Sequence, residues 1–191
     1  SKMTEPVDGR LVWVDDSDDT CIAVLPTGEA LIIGGWASPP MLYDPSTNKW
    51  RPTSNSVEGK IWVRELMPLT TGLVLSFGGY GILKSTGEWN HSTNTAELYD
   101  PVGDTWQMTG SMVIGRDRPG AVLLQSGKVL VFGGTVKAND SAWEDSVISE
   151  LYDPDTGTWA RTGDMVLPRY HARGVLLPTG KVLVIGGLSE S

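Results

Sequence analysis

Leu177-Pro-Thr-Gly-Lys-Val-Leu-Val-Ile-Gly-Gly187 decides the fold, because the chain writes it four times without a gap. The earlier versions are Leu25-Pro-Thr-Gly-Glu-Ala-Leu-Ile-Ile-Gly-Gly35, Leu69-Thr-Thr-Gly-Leu-Val-Leu-Ser-Phe-Gly-Gly79 and Leu124-Gln-Ser-Gly-Lys-Val-Leu-Val-Phe-Gly-Gly134. A second motif falls between them three times: Tyr43-Asp-Pro to Trp50, Tyr99-Asp-Pro to Trp106, and Tyr152-Asp-Pro to Trp159. Tyr and Trp are always seven residues apart, and the Gly-Gly pairs recur after 44, 55 and 53 residues. Such fixed spacing is the mark of a repeat architecture in which each unit is one supersecondary element.

Each part of the unit has a physical reason. Ala121-Val-Leu-Leu and Lys128-Val-Leu-Val-Phe are short runs of strand formers on either side of Gln-Ser-Gly, which predicts a hairpin. Gly-Gly ends the second strand where a side chain would obstruct the backbone or a positive φ is required. Tyr and Trp then flank an Asp-Pro turn. Proline presets φ, the Asp carboxylate can accept nearby N–H groups, and Asn48 or Gly157 suits a left-handed position. The two aromatics supply the buried area that a small sheet needs. One repeat is therefore a four-stranded antiparallel meander with strands a, b, c and d.

These residues resemble the Kelch family closely: its marks are Gly-Gly, Tyr-Asp-Pro and the tryptophan that follows. The Leu-Pro-Thr-Gly-Lys-Val-Leu-Val-Ile-Gly-Gly version is similar to the repeats of galactose-oxidase-like propellers. The resemblance covers roughly residues 20–191 and implies an all-β Kelch β-propeller of four-stranded antiparallel blades, about three and a half in this chain. On that reading residues 1–20 are an N-terminal closing strand and acidic loop. Repeats one to three occupy 21–60, 61–112 and 113–165, and 166–191 is the first half of a fourth. Two repeats depart from the pattern: Met41 stands where Glu97 and Glu150 stand, and Ile61-Trp-Val-Arg-Glu precedes the second repeat.

Closed propellers have four to eight blades, and an open wedge leaves unpaired apolar edges. The run Arg10-Leu-Val-Trp-Val14 reads as a strand ahead of the first repeat. Two readings follow: a second copy completes a seven-bladed homodimeric ring, or the remainder of a longer propeller does so.

Composition narrows the function. Acidic residues outnumber basic ones, 23 to 15, for a net charge of -8, which argues against nucleic acid or an anionic membrane as main partner. No run approaches the 18 apolar residues of a membrane span, and the residues after Met3 lack the apolar core of a signal peptide. Cys21 is the only cysteine and sits in an apolar strand run, as a small buried hydrophobe does. The copper-radical chemistry of galactose-oxidase-like enzymes needs a Tyr–Cys pair and histidine ligands. With two histidines, one cysteine and no clustered metal-ligand spacing, no cofactor or metal is expected. The run Asp15-Asp-Ser-Asp-Asp19 reads as a solvated loop in preference to a calcium site, lacking spaced ligands and a glycine pivot. Asn90-His-Ser92 and Asn139-Asp-Ser141 fit the glycosylation sequon.

The meander sorts the loops. The d–a and b–c connections share one end of the sheets, and the short a–b and c–d turns share the other. The first end carries the long connections, where function on rigid scaffolds concentrates. Candidate binding residues there are Trp36, Tyr80, Trp89, Arg116, Arg118, Trp143, Arg169, Tyr170 and His171, with His91 nearby. Aromatics and arginines are what binding hot spots favour. Each has a structural reading too: Trp89 or Trp143 pins its own loop, and the repeat-equivalent Arg116 and Arg169 pair with acids such as Glu97 and Glu150. The sequence thus points to a non-catalytic scaffold that binds a protein or glycan through its long-loop face. The alternatives are part of a propeller enzyme, an oxidase or a sugar isomerase, whose site lies in other sequence, and a purely structural ring segment.

Overall fold

A computed structural model of the chain describes residues 6–7, 10–11, 20–34, 39–57, 63–82, 87, 89–90, 92–137 and 142–189. Trp36, His91, the acidic run at 15–19 and Asn139 lie outside them. A short ribbon comes first, β1 (Pro6–Val7) against β2 (Arg10–Leu11). Sheet 1 is β3 (Thr20–Val24), β4 (Ala30–Gly34), β5 (Met41–Asp44) and β6 (Lys49–Pro52). Sheet 2 begins with β7 (Glu65–Pro68) and β8 (Val74–Phe77), is interrupted by a ribbon of β9 (Gly81–Ile82) and β10 (Trp89–Asn90), and ends with β11 (Ala96–Asp100) and β12 (Thr105–Met108). Sheet 3 repeats this plan with β13 (Gly120–Leu123), β14 (Val129–Phe132), the ribbon β15 (Thr135–Val136) and β16 (Glu144–Asp145), then β17 (Ser149–Asp153) and β18 (Thr158–Arg161). A half sheet of β19 (Tyr170–Leu176) and β20 (Val182–Leu188) completes the described chain.

Every pairing is antiparallel and sequential, so the fold is all-β: three complete blades and half of a fourth. The four a–b turns are identical. In each, the leucine N–H and carbonyl close the loop, as Leu124 N donates to Lys128 O at 2.9 Å and Gly127 N to Leu124 O at 3.0 Å. The turn glycines Gly28, Gly72, Gly127 and Gly180 all hold φ between 79° and 88°, which explains their fixed place in the motif. The c–d turns are Asx turns: Asp44, Asp100 and Asp153 each accept the N–H two residues on. Hydrogen bonds from Ser46 and Thr47 hold the Asp44 carboxyl down at about 2.

The Gly-Gly pair meets both requirements read from the sequence. Gly133 and Gly134 have φ of 64° and 87°, and a Cβ on either would stand 2.3 Å from the Arg169 carbonyl or 2.6 Å from that of Asp117. The next blade's backbone lies where the first side chain would be, and the lead-in to β13 of the same blade where the second would be.

The core sits between sheets. Leu25, Leu31 and Leu42 of sheet 1 pack on Leu66, Val74, Tyr99 and Trp106 of sheet 2. Phe77 and Leu98 of sheet 2 pack on Val129, Tyr152 and Trp159 of sheet 3, and Val122 and Phe132 of sheet 3 on Ala172 and Val184 of the half sheet. The Tyr and Trp of each motif pair across strands c and d, with ring centroids 4.8 to 5.0 Å apart. The first strands β3, β7, β13 and β19 lie side by side in that order and form the inner wall.

Two connections and the N-terminal segment need comment. Of the strand expected over residues 10–14 only Arg10 and Leu11 are among the described residues, and they pair with Val7 and Pro6 in a short antiparallel ribbon; residues 12–14 lie outside the described ones. Among the described residues this ribbon pairs with none of the large sheets. The long connections after Gly79 and Gly134 each contain a ribbon, because β9 and β10, like β15 and β16, find their ladder partners within one loop.

Candidate functional site

Strand a of each blade starts from a different residue. Counting back seven places from the turn glycine gives Cys21, Glu65, Gly120 and Arg173. At this position strand a carries a carboxylate in blade 2 and a guanidinium in the half blade, with glycine in blade 3. Gly120 is obligatory there, since a Cβ would stand 2.3 Å from the Phe132 ring and 2.7 Å from the Ala172 carbonyl.

At the long-loop end of these strands a cleft of about 320 Å³ opens on the inner wall, lined by Arg64, Glu65, Arg118, His171 and Arg173 with Cys21 and Ile22 at one side. Arg118 and His171 are repeat equivalents, both with positive φ (51° and 56°), and the His171 N–H donates to the Arg118 carbonyl at 3.1 Å. Non-glycine residues rarely adopt that conformation, and its use twice at one position aims two adjacent side chains into the cleft mouth. Behind them Asp117 is buried against Arg64, whose Nε donates to Asp117 Oδ1 at 2.5 Å. Burial pushes the Asp117 carboxyl up and Arg64 draws it back down. The Arg64 guanidinium also lies over the Tyr80 ring, 4.9 Å from its centroid. Glu65 is half-buried; desolvation raises its carboxyl to about 7, against the pull of Arg173.

The nine residues read from the sequence scatter. Arg118 and His171 reach the cleft, and Tyr80 supports it from beneath Arg64. Trp143 is exposed on the β15–β16 loop, with Lys137 Nζ 5.9 Å from its ring centre. Trp89 contributes its backbone to β10, opposite Ile82. Tyr170 is buried beside the His171 ring and so is not a surface group. Arg116 is also no surface group: its exposure is 0 %. Its Nη1 donates to the Gly133 and Ile148 carbonyls, both at 2.8 Å, and its Nη2 to the Glu150 carboxylate. That is the scaffold role its repeated position allows. Arg169 makes the equivalent bond to the Gly186 carbonyl, also 2.8 Å. Glu97, expected to take an arginine, accepts the Ser56 hydroxyl at 2.9 Å, and the residue equivalent to Arg116 in its blade is Ile61.

Sequence reading missed Arg64, Glu65, Asp117 and Arg173. For Glu65 and Arg173 the available signal was positional: charged residues at the strand-a position where the other copies hold Cys21 and Gly120.

No protein-family model matches the chain. It is 26 % identical over 141 residues to Kelch-like protein terF of Aspergillus terreus, which covers 72 % of this chain and 30 % of that protein. It is 28 % identical over 88 residues to Kelch-like protein 15 of both Danio rerio and Homo sapiens, covering 46 % of this chain and 14 % of each relative. The chain thus spans less than a third of the length of these curated relatives. Among solved structures, that of YjhT superposes with a TM-score of 0.69 at 15 % identity, over 91 % of this chain and 66 % of YjhT. Repeated motif, blade geometry and these likenesses agree: the chain has a Kelch-type β-propeller fold and is similar to Kelch-like proteins.

Proposed function

We propose that the chain is a non-catalytic propeller scaffold that closes into a seven-bladed ring with a second copy and captures a protein or glycan partner on its long-loop face. The observation that carries the closure is the bare outer side of the half sheet. Ile185 and Leu188 of β20 are 55 % and 59 % exposed, whereas Phe132 and Thr135, their equivalents in blade 3, are 1 % and 7 % exposed. Apolar strand surface of this kind needs a partner. The binding role rests on the cleft and on exposed Trp143, which share one end of the blades. Sedimentation of the isolated chain tests the closure: a species of twice the 20.6 kDa chain mass supports it, and a stable monomer at micromolar concentration refutes it. Capture of glycans or proteins by wild type but not by a Trp89, Trp143 double alanine variant tests the face. Loss of capture on altering the Thr27 and Thr179 turns instead places binding at the opposite end.

One observation favours a second reading, part of a propeller enzyme. Glu65 sits in a cleft with its carboxyl near 7, the setting of a general base. Turnover of a substrate by wild type but not by Glu65→Gln would establish it.

A further inference from the structure

The cleft at the inner wall is cationic in a chain of net charge -8. Arg64, Arg118 and Arg173 line it, while the facing carboxylates among the described residues are two, Glu65 in the wall and Asp117 behind it. Arg64 is committed to Asp117 at 2.5 Å, and Arg173 is the cation that acts on Glu65. Arg118 is held only by a looser ion pair to the carboxylate that Arg64 already occupies. Its Nε lies 3.6 Å from Asp117 Oδ2, beyond hydrogen-bond reach, and although buried it makes no hydrogen bond among the described residues. A buried donor without a partner is unfavourable, and the rest of the Arg118 side chain, 36 % exposed, reaches toward the cleft opening.

The geometry points to a ligand: we infer that this cleft binds the carboxylate of a small monoanionic molecule, gripped by Arg118 with Arg173 and His171 beside it. The inference rests on the reading of this face as a binding face and gives it a ligand chemistry. With Glu65 ionised, the described guanidiniums outnumber the described carboxylates by one, which matches a single carboxylate and would leave a phosphate dianion undercompensated. The planar guanidinium fork suits the two oxygens of a carboxylate. The volume, about 320 Å³, is that of a small-molecule site and not of a docked domain. Arg118 is also well placed to stay put, because its positive φ and the His171 N–H on its carbonyl fix the backbone that carries it.

Saturation-transfer NMR on the full chain tests this with benzoate, its uncharged isostere benzamide and inorganic phosphate, at constant ionic strength. Benzoate should receive saturation, benzamide should not, and phosphate should fail to displace benzoate at equal concentration. Arg118→Gln and Arg173→Gln should each weaken benzoate at least tenfold, and Lys137→Gln, on the ribbon away from the cleft, should leave it unchanged. Equal signals from benzoate and benzamide overturn the proposal without any variant. So does phosphate competing as well as benzoate, or undiminished binding in both arginine variants. Partner capture surviving in a chain that ignores benzoate would sink this inference alone. Benzoate binding with capture lost would sink the scaffold reading alone.

Discussion

Arg169 Nη1 donates to the Gly186 carbonyl at 2.8 Å, the same bond that Arg116 makes to Gly133 one blade earlier. Arg116 goes on to bond the Ile148 carbonyl and the Glu150 carboxylate of strand c. The half sheet has β19 and β20 but no described strand c, so Arg169 stands where a closing strand would offer it a carbonyl and a carboxylate. Arg169→Met should therefore weaken self-association of the chain. A 10- to 100-fold rise in dimer Kd, about 1.4–3 kcal/mol, is the size expected for truncating one partner of an interfacial charge pair. Sedimentation equilibrium measures it; an unchanged Kd would mean that the closing strand does not reach Arg169.

The buried pair in blade 3 makes a sharper stability prediction. Glu150 accepts Val113 N at 2.5 Å as well as Arg116, and both side chains are fully buried. Removing the carboxylate leaves a guanidinium uncompensated inside the protein. Glu150→Ala should cost about 3–5 kcal/mol in urea unfolding, while Glu150→Gln, which keeps an acceptor, should cost less. Equal losses would show that charge is not what Arg116 requires.

Most of the fold was legible because the motif residues answer to local backbone needs. A turn glycine at φ near 85°, a Gly-Gly where other backbone passes close, and an Asx turn at Asp-Pro each follow from a few neighbouring residues. The cleft was harder. Arg64 and Asp117 meet across 53 residues, and Arg173 acts on Glu65 from a strand two blades on. Neither relation leaves a mark in a local pattern. The arginines that the pattern did expose, Arg116 and Arg169, belong to the frame for the same reason that they repeat.

Blade 3 also carries a defect that the repeats explain. Tyr43 and Tyr99 donate to the side chains of Asn48 and Asp104, both at 2.9 Å, from the left-handed turn position. Gly157 holds that position in blade 3, so Tyr152 pairs with Thr109 at 2.8 Å instead. Thr53, the counterpart of Thr109, accepts Trp106 Nε1 at 3.3 Å, whereas buried Trp159 Nε1 has no hydrogen bond among the described residues. Gly157→Asn should give Tyr152 its missing acceptor and free Thr109 for Trp159. Asparagine tolerates φ of 67°, and the new Cβ would meet only the movable Thr109 hydroxyl at 3.0 Å. A gain of about 1 kcal/mol is expected, against a loss of about 1 kcal/mol for Gly157→Ala. Equal denaturation midpoints for the two variants would refute the exchange of partners.

Glu65 should make stability depend on pH in a direction opposite to most carboxylates. Its carboxyl stands near 7 in the folded chain against 4.5 as the ordinary value, so the folded state holds the proton more tightly. The stability this contributes is complete below pH 4.5 and is lost as pH rises through 7. Burial drives the shift and Arg173 opposes it, with Arg64 and Arg118 the other charges around the cleft. Glu65→Gln cannot ionise, so between pH 4.5 and 8 it should gain on the wild type by on the order of 2 kcal/mol. His171 is the other titratable group in the cleft, and the comparison repeated in a His171→Asn background separates its contribution. Parallel stability profiles for wild type and Glu65→Gln over that range would show that the Glu65 carboxyl is solvated and ionised throughout.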